Sequence, residues 1–103
     1  MVKAKIKYND DSIMKIEVSG HANAGDYGND LVCAGITAIV SGALNGLDQM
    51  HNKDVDLNVD DNVITIIVKN DSIELQKILQ FLLFQLETIE FQYQKNFKIE
   101  EVF

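Results

Sequence analysis

The sequence predicts an α+β fold: a two-layer domain in ββαββα order, its mostly antiparallel sheet packed with two helices. Three observations carry this. Two pairs of alternating segments, 2–8 with 14–18 and 55–60 with 63–69, are each joined by a short Asn/Asp-rich turn, the pattern of β-hairpins. A long apolar-periodic segment follows each hairpin. Hairpins and helices in this order segregate into a sheet layer and a helix layer. At 103 residues the chain reads as one domain, 1–103.

Each element has its own justification. Val2, Ala4, Ile6 and Tyr8 alternate with Lys3, Lys5 and Lys7, so the first strand is half-buried. Asn9, Asp10, Asp11 and Ser12 form a turn, and Met14, Ile16 and Val18 then face the core against Lys15 and Glu17. The first helix is expected from about Leu31 to about Met50, with Asn29 or Asp30 as N-cap. Val32, Ile36, Ile39, Val40, Ala43, Leu44 and Leu47 cover most of its circumference, which predicts packing on more than one side. Gly35, Gly42 and Gly46 cost helix propensity and suggest close approach of a neighbour. The second helix, about 72–94, opens on a capping-box pattern from Asp71 to Glu74. Its stripe is Leu75, Leu79, Leu82, Leu86, Ile89 and Tyr93. Phe81, Phe84 and Phe91 lie off that stripe, a surplus that suggests a dimer interface or extra core. Phe97 and Ile99 suggest a short last strand.

Composition narrows the function classes. An apolar share of 47% against a charged share of 24% is that of an ordinary soluble globular protein. One cysteine excludes an internal disulfide, and no C-x-x-C or His/Cys cluster points to a metal, so no metal or cofactor is expected. A free thiol fits a reducing compartment, the cytoplasm. The net charge of −7, with lysine as the only cation type, argues against direct nucleic-acid binding and suits a basic protein or peptide partner. Simple solubility explains the charge equally well. The first residues lack the apolar core of a signal peptide. Residues 31–47 are uncharged, but Thr37, Ser41, Asn45 and three glycines favour a core helix over a membrane span.

The candidate chemistry lies in residues 20–47. A loop with Gly20, Gly25 and Gly28 carries His21 and leads to Cys33. With Asp30 as cap, Cys33 is the third helical residue, beside unpaired N–H groups and the positive end of the helix dipole, where a thiolate is favoured. A histidine within reach makes a nucleophile–base pair. The plain alternative is a buried small hydrophobe beside a structural loop histidine. Asp30 has two candidate roles, capping the helix or orienting the imidazole; Asp26 is a second candidate for the latter. Backbone N–H groups at the helix start, including that of Cys33, are candidates for an oxyanion hole. A glycine-rich loop before a helix also suits phosphate, but no Lys-Ser/Thr ends it and Asp26 and Asp30 repel an anion. His51 reads as a cation at a helix C-terminus and Ser41 as a packing residue.

Gly20-His21-Ala22 followed by Gly28-Asn29-Asp30-Leu31-Val32-Cys33-Ala34 resembles the ribosomal-processing cysteine protease family, Prp, whose pattern is a Gly-His-Ala loop and Gly-x-Asp-Ile-Val-Cys-Ala at a helix start. Residues 93–99 also look like the family's C-terminal end. The resemblance implies a bacterial endopeptidase that removes the N-terminal extension of a large-subunit ribosomal protein beside paired aromatic residues. It implies a His21–Cys33 dyad, a basic ribosomal N-terminal peptide as substrate, and a homodimer. Leu31 stands where the family has isoleucine, Thr37 where many relatives have serine, and no proline follows Tyr93. Readings from other classes are a non-catalytic dimeric module that binds a basic ribosomal or nascent protein, and a thiol redox sensor.

Overall fold

The computed structural model describes residues 1–20 and 27–103, the side chains of 27–30 excepted. The elements are β1 (Val2–Asn9), β2 (Ser12–Ser19), α1 (Tyr27–His51), β3 (Val55–Val59), β4 (Val63–Val68), α2 (Ile73–Gln92) and β5 (Phe97–Val102). The five strands form one sheet in the order β3-β4-β2-β1-β5. Three neighbouring pairs are antiparallel and one, β1 with β5, is parallel. The expected α+β order and mostly antiparallel sheet are therefore present.

Strand alternation decides which face of the sheet is covered. Val2, Ala4 and Ile6 of β1, Ile16 and Val18 of β2, Ile66 and Val68 of β4 and Phe97 of β5 are all buried. They meet Val32, Ile36, Val40 and Leu47 of α1 and Leu75, Leu79, Leu82, Leu83 and Leu86 of α2 in one core. Lys3, Lys5 and Lys7 point the other way and are exposed.

Three local expectations change. The β1–β2 register shifts between Lys7 and Tyr8, where Lys7 pairs with Lys15 but Tyr8 pairs with Ile13. Met14 is thus an extra residue in β2, a bulge, and Ile13 rather than Met14 fills the buried position. Gln76 of α2 serves the Ile13 backbone there: its side-chain oxygen accepts the Ile13 N–H and its amide donates to the Ile13 carbonyl, both at 2.8 Å. Second, α2 is capped by Ser72, whose hydroxyl accepts the Leu75 N–H at 3.1 Å. Asp71, one residue earlier, instead accepts from the Ser72 N–H and the Gln76 amide.

Third, α1 packs on one side, not several. Leu31, Ala34, Thr37, Ala38, Ser41, Gly42 and Asn45 are exposed. Apart from Leu31, these side chains are small enough to stay in water at little hydrophobic cost. Leu31–His51 is long and apolar enough to cross a membrane by length and composition, but its buried stripe packs on the sheet. Of its glycines, Gly35 lies near α2, 3.8 Å from an Ile89 methyl as measured from an added Cβ, while Gly42 and Gly46 face open space.

Candidate active site

Cys33, Ile36, Thr37 and Val40 recur at helical spacing and present one flank of α1 to a cleft. Val2, Val18 and Gly20, at the ends of β1 and β2, form its floor. The β3–β4 turn, from Val59 through Asp60, Asp61 and Asn62 to Val63 and Ile64, closes the far side. The cleft encloses about 190 Å³. Cys33, half-buried and free, borders it. A thiol in that position is shielded from bulk solvent yet reachable, unlike a cysteine sealed in the core.

Gly20 sets the path of the chain as it leaves β2 toward His21. Its φ is +94°, a left-handed conformation that L side chains rarely adopt. A Cβ there would also collide with the Met1 carbonyl oxygen. The start of β1 is itself held by the Val2 N–H donating to the Asn96 carbonyl at 3.0 Å.

His21 and Asp26 lie outside the described residues, as does the side chain of Asp30. The helix start, however, differs from the expectation. α1 begins at Tyr27, so Asp30 lies within the first turn and is not the N-cap, and Cys33 falls in the second turn. A second-turn N–H is committed to the carbonyl four residues back. Within the helix the unpaired donors are those of its first three residues, 27–29, and the Cys33 N–H is not among them. Asp30 still suits its position, because a carboxylate in the first turn is favoured by the helix dipole.

His51 stands as expected, at the C-terminal end of α1. His51 contacts the Asp54 carboxylate through Nδ1 at 2.9 Å, at the end of α1 away from the cleft, a structural pairing. Among the described residues no group of histidines, cysteines and carboxylates is arranged to hold a metal. The contribution of the β3–β4 turn to the cleft was not anticipated. Its only local signal is the acidic pair Asp60-Asp61, which by itself reads as a turn.

Residues 1–98 match the family model for cysteine protease Prp. The chain belongs to the Prp family. It is 35% identical over 105 residues to the ribosomal processing cysteine protease Prp of Staphylococcus aureus strain Mu50, a match covering 96% of this chain and 97% of that relative. Its fold is that of S. aureus Prp in complex with a substrate peptide, with a TM-score of 0.88, 32% identity and coverage of 98% of this chain and 99% of that one. A second S. aureus Prp structure, with a covalently linked product peptide, matches with a TM-score of 0.86, 33% identity and the same coverage. The protein is thus a cysteine peptidase, and the readings as a non-catalytic module or a redox sensor give way. Cys33 is the single cysteine of this chain.

Proposed function

We infer that Cys33 is the nucleophile and His21 the general base of an endopeptidase that removes the N-terminal extension of a large-subunit ribosomal protein. The observation that carries this reading is the position of the chain's one thiol on the wall of an open cleft. The covalent product complex of the S. aureus relative supports it.

The chemistry follows from the pair. The imidazole takes the thiol proton, and the thiolate attacks the scissile carbonyl carbon. The tetrahedral oxyanion is met by the unpaired N–H groups of the first helical turn or the loop before it. Collapse breaks the C–N bond, and the imidazolium gives its proton to the departing amine. The imidazole then deprotonates a water, which attacks the thioester carbonyl; the C–S bond breaks, the product leaves as a carboxylic acid, and the imidazolium returns its proton to the Cys33 thiolate. Asp30, no longer the cap, is assigned to orienting the imidazole. No cofactor takes part in this scheme.

The enzyme acts in the cytoplasm, makes no direct contact with nucleic acid or membrane, and works as a homodimer. Phe81, Phe84 and Phe91 support the dimer: they are 67%, 61% and 79% exposed along one side of α2.

The test is cleavage of a peptide spanning the extension junction of the ribosomal protein. Wild type cuts it, while Cys33→Ala and His21→Ala, folded by circular dichroism, lose activity by at least about a thousandfold, the scale of losing a nucleophile or its base. Cutting that survives Cys33→Ala overturns the assignment.

A further inference from the structure

β5 is an outer strand of the sheet, with β1 as its neighbour on the inner side. The parallel register fixes which way its backbone points. Val2 stands opposite Phe97 and donates to the Asn96 carbonyl at 3.0 Å. Residues 96, 98, 100 and 102 therefore direct their backbone groups at β1. The N–H and C=O groups of Phe97, Ile99 and Glu101 point outward, along the free edge. An open groove of about 700 Å³ adjoins that edge, with Glu87, Thr88, Glu90, Phe91 and Lys98 among its walls. A further strand needs only about 4.8 Å of lateral room, so bulk alone does not protect the edge.

Two hydrogen bonds occupy the outward donors. The Phe97 N–H donates to the Tyr93 carbonyl at 3.1 Å, within the turn that leads into the strand. The Ile99 N–H donates to the Glu90 carboxylate at 2.6 Å, a side chain reaching across from α2, nine residues earlier. A carboxylate only accepts, so it satisfies the Ile99 donor and offers no N–H from which a ladder could continue. It also sets a charge where a neighbouring strand would lie. An added antiparallel strand bonds through both the N–H and the C=O of alternate residues. With Phe97 and Ile99 engaged, Glu101 near the strand end is too little to hold one.

We propose that Glu90 is a built-in strand guard, whose carboxylate occupies the outer edge of β5 and keeps a second copy of this chain from adding its own β5 there. A second copy is the occupant excluded because two identical edges pair about a two-fold axis, with Ile99 opposite Ile99. Copies are thereby left to meet through the phenylalanines of α2 and not through a continuous sheet. This inference is independent of the protease reading.

The experiment uses the full chain carrying Phe84→Glu/Phe91→Glu, so that association through α2 does not contribute. Glu90→Ala removes the acceptor, and Glu90→Gln keeps its length and one acceptor oxygen. Amide exchange followed by nuclear magnetic resonance is expected to show the Ile99 N–H protected in the parent and in Glu90→Gln. In dilute Glu90→Ala it exchanges at least about tenfold faster, the scale of one hydrogen bond to a charged group. Sedimentation at millimolar concentration is expected to find the parent and Glu90→Gln monomeric and Glu90→Ala dimeric, with Ile99 protection restored as the dimer forms. Glu87→Ala, which takes a charge from the same groove, behaves as the parent. Should Glu90→Ala lose its fold by circular dichroism, Glu90→Asp, whose carboxylate is one methylene short of the strand, carries both measurements with the same expectations. If Ile99 stays protected in the variant that withdraws the carboxylate, or is freed there without association, the proposal is overturned.

Discussion

Gly20 is held to glycine twice over, by its φ of +94° and by the Met1 carbonyl that occupies the space of a side chain. Gly20→Ala must move the end of β2 or the start of β1, and both line the cleft. A loss of roughly 1–3 kcal/mol is expected in denaturant melts, the scale of a strained backbone position, together with reduced peptide cleavage. Tyr8 shows a different kind of constraint. Its hydroxyl donates to the Glu101 carboxylate at 2.6 Å and its ring stacks on Phe103 with centroids 4.7 Å apart. Burial first, then that hydrogen bond and the charges of Glu101 and Glu87, hold the phenol well above its ordinary value. Folding thus favours the neutral phenol. Its contribution to stability is intact below the ordinary tyrosine value near 10 and is lost as pH rises beyond it. Denaturation midpoints measured from about pH 8 to pH 12 should fall more steeply in wild type than in Tyr8→Phe.

At the scale of the elements, alternation and helical spacing were enough to find every strand and both helices, because each buries one periodic face. Three details escaped that reasoning. The bulge at Met14 depends on a partner helix, through Gln76, that no local pattern reveals. The start of α1 was misplaced because Asn29 and Asp30, good caps, are equally at home in a first turn. The sequence suggests packing at Ser41 and close approach at the glycines of α1, but Ser41, like Ala34 and Ala38, is exposed. Gly42 lies on that open side with nothing within 4 Å of an added Cβ. Gly42→Ala should therefore stabilise the protein by about 0.5–1 kcal/mol through helix propensity alone, read as a higher denaturation midpoint. A loss instead would mean that a partner packs closely against this face.

The whole molecule is two layers, and its helical layer is incompletely covered. α2 buries five leucines against the sheet and leaves three phenylalanines outside. Analytical ultracentrifugation should find a dimer at micromolar concentration and a monomer for Phe84→Glu/Phe91→Glu; a monomeric wild type would overturn the assembly. At this scale the site was only half legible. Cys33 stood out as the sole cysteine near a helix start, and the Gly-His-Ala and Gly-x-Asp motifs carried the family. The opposing wall did not stand out, because Asp60 and Asp61 meet Cys33 only once the sheet order β3-β4-β2-β1 is formed.

That sheet order has a consequence in time. β1, the first of the five strands in chain order, has β5 as one of its two neighbours, and Val2 pairs with Phe97. Protein synthesis runs from the amino end, so Val2 leaves the ribosome long before its lateral partner exists. Until the codons for residues 97–102 have been read, the first strand is held by β2 alone and lacks its other flank. The strand that borders the cleft thus completes its pairing only after both helices have been synthesised.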